Sequence, residues 1–361
     1  MKKVGMITIY RKNYGAFFQA YALQQELIKL GYSPELIRYD YYRDHTLFGV
    51  PTASRQFLKK MVKAAIVETI RYLPHKRRQA VFDKSIQENL RESKEYYRTY
   101  EALVKNPPQY DLYLTGSDQV FNIALSPQAA PARLLRFVRN GKKASYAASA
   151  GNSRVDETFA QEVVEALKTF DGLSVREERL ANSLRTEFGL PASQHIDPVF
   201  LMEKAQWDGF AKKLEGLPEQ YIFYYRVLPQ NKLNETAERL SSETQLPVFV
   251  ADGHDKFSNQ VPRHGFLSPE QWVYALSNAS YVVTNSFHGA AFAVNLKKQA
   301  RILVPPKGGE RVCALMEKCG IAPGQTVSEP IQYAPEHFNA AQRYILGERV
   351  RSAEYLRSLL D

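Results

Sequence analysis

Cysteine and long apolar runs are scarce in this chain. Only two cysteines, Cys313 and Cys319, occur in 361 residues. They lie six positions apart on a predicted helix, which places them on different faces and too far apart along the axis to form a disulfide. Neither belongs to a cluster of metal ligands, so we expect no disulfide scaffold and no metal site. The longest apolar runs, such as residues 302–304, are far shorter than the roughly 20 residues that a membrane-spanning helix needs.

Several well-known motifs are also absent. The first residues run directly into a strand-like segment, 4–9, without the apolar core and small-residue cleavage site of a secretory signal. We therefore expect a cytoplasmic protein. A P-loop, a dinucleotide-binding fingerprint and a nucleophile elbow are missing, and the last absence disfavours a hydrolase triad. No nucleic-acid-binding signature is found, so nucleic acid is not an expected partner.

The composition is that of a globular protein with two cores. Hydrophobic residues make up 44% of the chain and charged residues 24%, which argues against disorder. A chain of this length suits two α/β domains of about 150 residues each.

The chain is basic, with a formal net charge of +10. Much of the excess lies in Arg55–Arg78, where lysine and arginine alternate with apolar residues in a helix-like pattern. This segment has two interpretations: a solvated basic helical face, or a surface that docks on an anionic membrane or a polyanionic glycan. The sequence leaves both open.

The order of strand-like and helix-like segments predicts an α/β fold with two doubly wound lobes. The chain opens with strand, helix and strand, and a second alternation begins near residue 221 after a linker. A final amphipathic helix follows the second lobe, and the sequence leaves open whether it packs back on the first. The predicted parts are an N-terminal lobe over 1–202 with a basic helical insertion at about 41–105, a linker over 203–220, a C-terminal lobe over 221–333, and the helix over 334–361.

Finer boundaries follow from the same periodicities. The pattern predicts a helix over 231–244, a strand over 195–201, and a short helix that Gly289 begins. The insertion is predicted to be helical and to add no strand to the sheet. Ligands of open parallel sheets bind beyond the carboxyl ends of the strands, so the turns there are the places to look for chemistry.

The turn after the first strand contains Asn13, Tyr14 and Gly15. Gly15 would let a ligand approach the N-terminus of the next helix, where free amide groups favour an anion. Gln19, one turn later, is predicted to point into the same cleft. The alternative is an ordinary glycine-containing turn between a strand and a helix.

Asp118 follows an apolar strand that ends near Thr115. Its carboxylate could orient a sugar hydroxyl or accept the proton of that hydroxyl. Alternatively, Ser117 or Asp118 caps the next helix, and the two roles are compatible. Ser149 ends the following strand among small residues that would leave room for a ligand.

Arg176 ends a third predicted strand. Its guanidinium could hold a carboxylate or phosphate through two parallel hydrogen bonds, which lysine cannot reproduce. The alternative is a surface ion pair with Glu177 or Glu178.

His288 lies in the most informative turn, where an apolar strand breaks at Asn285 and Ser286. The predicted helix begins at Gly289, so His288 would lie at a helix N-terminus beside Ser286 and free amide groups. Such a position suits an anion and a proton-transfer group. The alternative is a histidine that only caps the helix or packs against it.

Together these segments resemble the polysaccharide pyruvyl transferase family. The matching segments occur in the order of the family across roughly residues 4–320, with Phe121 where the family often has tryptophan and Ala290 where it often has a hydroxyl residue. They are 13–16, 19–23, 116–120, 146–149, 174–177, 197–198 and 285–289.

The resemblance implies two facing Rossmann-like lobes of the GT-B type. It implies phosphoenolpyruvate as the donor substrate, no cofactor, and a pyruvate ketal on two hydroxyls of a surface-glycan sugar as the product, as in exopolysaccharide or capsule biosynthesis. By this similarity, Arg176 and His288 would hold donor anions and His288 would act as the acid. The predicted catalytic residues are His288 and Asp118, and the predicted substrate-binding residues are Arg176, Ser286, Gly289, Asn13, Tyr14, Gly15, Gln19, Ser117 and Ser149.

The expected acceptor is a glycan or lipid-linked oligosaccharide, with peripheral contact at the inner face of an anionic membrane as one interpretation of the basic segment. Two other functions stay open. One is a nucleotide-sugar glycosyltransferase of the same architecture, and the other is a non-catalytic protein that binds a glycan or a membrane surface. Fold alone does not choose among them.

Overall fold

The computed structural model describes residues 1–11, 13–39, 76–125, 127–151, 160–253, 255–262, 264–306, 308–322 and 329–360. Most of the basic segment Arg55–Arg78, including Lys59, Lys60 and Lys63, lies outside the described residues.

The first lobe is built on a parallel sheet in which β1 and β4 are central. The five main strands have the order β3-β2-β1-β4-β5. A parallel pair, β6 and β7, continues beside β5 through bridges at Ala144–Gly172 and Ala148–Val175. β4 is buried along its whole length, as expected for a parallel strand covered on both faces. The strands are β1 (Lys3–Ile7), β2 (Ser33–Tyr39), β3 (Glu92–Tyr97), β4 (Leu112–Thr115), β5 (Lys142–Ser145), β6 (Leu173–Val175) and β7 (Ala192–Gln194).

Helix α1 shows how the sequence sets the limits of an element. The Asn13 side chain accepts a hydrogen bond from the Ala16 amide at 2.7 Å and so caps the helix. Gly31, with φ of +88°, follows the C-terminal end in the left-handed conformation that favours glycine. The helices of this lobe are α1 (Tyr14–Lys29), α2 (76–89), α3 (Tyr100–Lys105), α4 (Ala130–Arg133), α5 (Ala160–Leu167) and α6 (Glu178–Thr186).

The second lobe contains its own sheet, in the order β12-β11-β10-β8-β9, with β12 antiparallel. Its strands are β8 (Ile222–Tyr225), β9 (Val248–Val250), β10 (Tyr281–Thr284), β11 (Gln299–Ile302) and β12 (Ile331–Tyr333). Its helices are α8 (Asn231–Thr244), α9 (Pro269–Asn278), α10 (Phe287–Asn295) and α11 (Glu310–Lys318), while α7 (Lys204–Phe210) lies between the two sheets in sequence and α12 (Pro335–Ser358) ends the chain.

The C-terminal helix α12 contacts the first lobe. The Arg349 Nε donates to the Phe200 carbonyl at 2.6 Å, and the Tyr355 hydroxyl donates to the Ser145 carbonyl at 2.8 Å. The chain therefore returns to the lobe in which it began.

An aromatic core joins the lobes. Phe18 of α1 lies 5.1 Å from Trp272 of α9 and 4.8 Å from Phe292 of α10, measured between ring centroids. Tyr14 is also buried there, and its hydroxyl donates to the Leu267 carbonyl at 3.0 Å. These residues belong to one continuous apolar cluster that includes strands of both sheets.

A polar contact supports this junction. Glu270, at the start of α9, is buried and accepts hydrogen bonds from Ser85 at 2.8 Å and Asn89 at 2.7 Å, both on α2. Burial would raise the pKa of Glu270, but hydrogen bonds from Ser268 and from these α2 side chains lower it below its usual value. The carboxylate thus links α2 to α9 in its charged form.

Two local predictions are wrong. Part of the predicted helical insertion, 41–75, lies outside the described residues, and 76–89 are helical, but Glu92–Tyr97 form the edge strand β3. The reason is that an edge strand carries exposed charged residues, so it lacks the apolar signal of a central strand. The predicted strand at 195–201 is not formed: β7 ends at Gln194, and Pro198–Phe200 form a 3₁₀ turn, because Pro198 cannot donate to a ladder.

Helix α10 begins at Phe287, two residues before the predicted start. Among the described residues, no helix is long and apolar enough to cross a membrane.

Candidate active site

Asp197 lies beside a charged residue of its own lobe and a histidine of the other lobe. Its Oδ2 accepts a hydrogen bond from the Arg176 Nη1 at 2.7 Å, and the His288 Nε2 lies 3.7 Å from the same oxygen. Asp197 and Arg176 follow β7 and β6 of the first lobe, whereas His288 lies in the first turn of α10 of the second. The cleft between the lobes therefore places a carboxylate, a guanidinium and an imidazole side by side.

The pKa of Asp197 reflects this position. Burial opposes the charged form, but His288 and Arg176 outweigh burial and hold the pKa of the carboxyl well below its usual range. The other oxygen, Oδ1, accepts the Val199 amide at 3.1 Å. Asp197 is thus a fixed anion whose two oxygens face different partners.

Arg176 is buried and surrounded by carboxylates. Besides Asp197, its Nε lies 3.4 Å from the Glu177 Oε1, and its Nη2 lies 3.9 Å from the Asp118 Oδ1. Burial would lower the pKa of Arg176, but the three carboxylates outweigh burial and raise that pKa above its ordinary value. Among the described residues, Nη2 has no hydrogen-bond partner. A ligand could bind at this corner of the guanidinium, and a two-point grip that also used the Nε or the N–H bonded to Asp197 would displace Glu177 or Asp197.

His288 is held from both sides. Its side chain is 12% exposed, and its Nε2 is a buried nitrogen without a hydrogen-bond partner among the described residues. Gly15 of the first lobe lies against the other side of the ring, so closely that a Cβ there would overlap the Nδ1. The Ser286 Oγ caps α10 by accepting the Gly289 amide at 3.3 Å. The imidazole thus lies at a helix N-terminus, and its Nε2 faces Asp197 without a hydrogen bond.

Two arginine side chains lie over the aromatic ring of Phe287. The Cζ of Arg176 lies 5.0 Å from the ring centroid and that of Arg311, on α11, lies 5.6 Å from it. Burial and the positive charge of Arg176 lower the pKa of Arg311 from its ordinary value. Sequence analysis missed Arg311, although it follows β11 and a Gly308–Gly309 turn, the same strand-end position that drew attention to the other turns.

The structure therefore brings together Gly15, Asp118, Arg176 and His288 of the predicted set. Gln19 is different, and the prediction that it points into the cleft is wrong. Its side chain has no exposed surface; its Nε2 donates to Thr8 and two carbonyls, and its Oε1 accepts the Ser117 amide at 3.0 Å. Gln19 ties the end of β1 to the end of β4, and it supports the site from beneath.

Other predicted residues have their polar groups already engaged within the protein. The Ser117 Oγ donates to the Ala147 carbonyl at 2.7 Å, and the Ser149 Oγ donates to the Glu177 Oε1 at 2.6 Å. Ser149 thus orients a carboxylate beside Arg176. Asn13 caps α1, and Tyr14 packs in the junction core. Gly289 gives α10 room beside β10, because a Cβ there would press against the Thr284 hydroxyl.

The two facing α/β lobes, with a polar site at their junction, define a protein of the GT-B fold. The family model described as "Polysaccharide pyruvyl transferase" matches residues 13–305. The chain belongs to this family. No curated protein sequence matches it significantly.

Solved structures show the same fold at low sequence identity. A putative UDP-N-acetylglucosamine 2-epimerase from Listeria monocytogenes is 12% identical, with a TM-score of 0.52, over 98% of this chain and 90% of that one. Another UDP-N-acetylglucosamine 2-epimerase is 12% identical, with a TM-score of 0.51, over 100% of this chain and 95% of that one. At this identity the similarity concerns the fold alone.

Proposed function

We propose that this protein transfers the pyruvyl group of phosphoenolpyruvate onto two hydroxyls of a glycan sugar and forms a pyruvate ketal. The observation that carries the proposal is a pair of nitrogen atoms without a hydrogen-bond partner among the described residues, the His288 Nε2 and the Arg176 Nη2, in one cleft between the lobes. A proton donor and a cation are the groups that an enol phosphate needs. Family membership supports the transferase class.

The chemistry divides into two additions. A proton from imidazolium His288 goes to the methylene carbon of phosphoenolpyruvate, which makes the adjacent carbon electrophilic. A sugar hydroxyl attacks that carbon and loses its proton, and phosphate leaves with the electron pair of its C–O bond. The second hydroxyl then attacks the same carbon and loses its proton, which closes the ketal. The products are one pyruvyl ketal and one inorganic phosphate.

Asp118 is the candidate for contact with the acceptor hydroxyl. Its side chain is 12% exposed, more than that of Arg176 or Asp197 in the same cluster. An ionised carboxylate only accepts hydrogen bonds, so it can orient a hydroxyl and take up its proton. The free amide groups at the N-terminus of α10 favour the anionic donor on the opposite side of the cleft.

The remaining parts of the proposal concern partners and location. The acceptor is a glycan or lipid-linked oligosaccharide, the reaction takes place in the cytoplasm or at the inner face of the membrane, and no cofactor takes part. These statements depend on the resemblance and on the chemistry above.

The test is incubation with phosphoenolpyruvate and a panel of synthetic and lipid-linked glycosides, followed by mass spectrometry. The expected product is heavier than the acceptor by one pyruvate less one water, with release of one phosphate. A sugar nucleotide that raises the melting temperature when phosphoenolpyruvate does not would favour a glycosyltransferase instead. Glycan or vesicle binding without phosphate release would indicate a non-catalytic binding protein.

A further inference from the structure

Arg311 differs from the other arginine of the site in having no ion pair at close range, although Asp118, Glu177 and Asp197 attract it from farther away. Within the ranges that the structure describes, no carboxylate forms an ion pair or hydrogen bond with it, and its buried Nε has no partner. Arg176, by contrast, has Asp197, Glu177 and Asp118 around it. Both guanidinium groups lie over the Phe287 ring, so they belong to one site.

A cation in this position is unfavourable unless an anion binds. Removing a guanidinium from water without a partner costs free energy, which a bound anion would offset. Arg176 repels Arg311, and the first-turn position of Arg311 on α11 adds the positive end of a helix dipole. The N-terminus of α10, at Phe287, adds a second one. These positive groups favour an anion that contacts the Arg311 guanidinium directly.

The turn before α11 fixes where the guanidinium lies. Gly308 has φ of +71°, and a Cβ there would lie 3.2 Å from the Arg311 Nη2. Gly309 also lacks room for a side chain, because a Cβ would overlap the Pro305 carbonyl. The backbone thus lies directly against the guanidinium and limits the directions in which it can turn.

We propose that Arg311 binds the phosphate group of the donor and of the phosphate product, while Arg176 stays engaged with Asp197 and Glu177. A planar guanidinium matches two phosphate oxygens, and the fork of Arg311 is not used by any described carboxylate. The identification of the donor rests on the proposed function. The binding of a phosphate dianion rests on the geometry of Arg311 alone.

The test uses inorganic phosphate as the probe in calorimetry on the full chain. We expect Arg311→Gln to weaken phosphate binding at least tenfold and Arg311→Lys to weaken it less, because lysine keeps the charge and loses the fork. Arg239→Gln is the matched control, since Arg239 is 55% exposed on α8 and pairs only loosely with Glu243. Phosphate affinity of the control should equal that of the unaltered protein.

Thermal unfolding provides a second measurement that separates binding from misfolding. Without phosphate, Arg311→Gln should be as stable as the unaltered protein or more stable, because it removes a desolvated charge that no ion pair at close range stabilises. With phosphate, only the unaltered protein and the control should gain stability. Phosphate binding that is unchanged in Arg311→Gln, or absent from the unaltered protein, would overturn the proposal.

The two proposals fail separately. Phosphate binding that depends on Arg311, without pyruvyl transfer from phosphoenolpyruvate, would support the phosphate site and contradict the proposed function. Pyruvyl transfer together with phosphate binding that does not depend on Arg311 would support the proposed function and contradict the phosphate site.

Discussion

Each charged group of the cleft has a distinct setting, and the setting determines its role. Asp197 is shared between Arg176 at 2.7 Å and His288 at 3.7 Å, so it couples the two lobes through one oxygen atom. Arg176 forms ion pairs with three carboxylates, whereas Arg311 forms none with a described carboxylate. An anionic donor is therefore expected on the side of Arg311 and His288, away from Asp118.

The first prediction concerns His288→Asn. Asparagine keeps a polar side chain but cannot donate a proton as an acid, so turnover should fall about 10²–10⁴-fold with a smaller change in donor affinity. Phosphate release measures turnover, and calorimetry with phosphoenolpyruvate measures affinity. Turnover close to normal would remove His288 from the chemistry and leave it a packing or capping residue.

Gly15→Ala tests the same residue from the other lobe. The new Cβ would overlap the His288 Nδ1, and the imidazole can rotate away, so we expect the fold to survive while the ring is displaced. A misplacement of about 1 Å can cost roughly 10²-fold in rate. We expect a loss of that size in kcat/KM with little change in melting temperature.

The matched control for this variant is Gly209→Ala. Gly209 lies on α7, and a Cβ there would meet nothing within 4 Å. Its activity should be unchanged. If Gly15→Ala retains full activity, the position of the His288 ring seen here is not the one that matters for catalysis.

At the residue scale, sequence predicted which turns approach one another but not how side chains point. Gly15, Asp118 and Arg176 meet because the carboxyl ends of parallel strands of the first lobe share an edge, and His288 reaches them from the sheet of the second lobe. The position of Gln19 was predicted wrongly because helical periodicity does not show which groups will hydrogen-bond to a buried amide. Arg311 was missed because its significance lies in the absence of an ion pair at close range, which only the structure reveals.

Helix α12 is tied to the first lobe through His195. The imidazole lies 4.5 Å from Tyr355 of α12 and 6.0 Å from Tyr146, between ring centroids. Its Nδ1 lies 2.9 Å from the Ser174 Oγ, which also accepts the Ala147 amide. Burial and the positive charge of Arg351 lower the pKa of His195 to about 4.

This setting predicts how stability depends on pH. The native state keeps His195 neutral down to about pH 4, whereas the unfolded chain protonates it near its ordinary pKa of 6.5. The unfolded state therefore binds more protons between these values, and the free energy of unfolding should fall as pH is lowered through that window. The contribution of His195 reaches roughly 3 kcal/mol once both pKa values are passed.

His195→Gln isolates this contribution. Glutamine can still form a hydrogen bond with Ser174 but does not titrate, so the free energy of unfolding of the variant should change less between pH 7 and pH 5 than that of the unaltered protein. Urea unfolding at several pH values gives both slopes. Equal slopes would mean that His195 can be protonated in the folded state.

The helices and strands that have a strong hydrophobic periodicity were predicted best. The helix over 231–244 has the predicted bounds, because its apolar residues recur regularly and its ends are polar. β3 was missed because an edge strand with three exposed residues in a row, 94–96, looks like a solvated helix. The strand predicted at 195–201 failed because Asp197 and Pro198 form a turn, and that turn is what carries Asp197 into the site.

On the scale of the whole molecule, the junction core decides how freely the lobes can move. Phe18, Trp207, Trp272 and Phe292 pack with ring centroids between 4.7 and 5.8 Å apart, and all four belong to the cluster that runs through both sheets. Separating the lobes would expose this core to water, at about 25 cal/mol for each Å² of apolar surface. The lobes therefore behave as one packing unit in this arrangement.

The last prediction is that both lobes unfold in a single transition. The two tryptophans of the chain, Trp207 and Trp272, are both fully buried in the junction core, so their fluorescence reports on the junction alone. Far-ultraviolet circular dichroism reports on the helices and sheets of both lobes. If the core holds the lobes together, the fluorescence and dichroism curves should coincide on heating, as for a two-state transition.

Phe18→Ala should lower the free energy of unfolding by about 3–5 kcal/mol, because it removes a buried ring shared by both lobes. Both curves should shift together in that variant. A fluorescence change that precedes the loss of dichroism would show that the lobes part before they unfold, and the cleft that brings His288 to Asp197 would then be one of two accessible states.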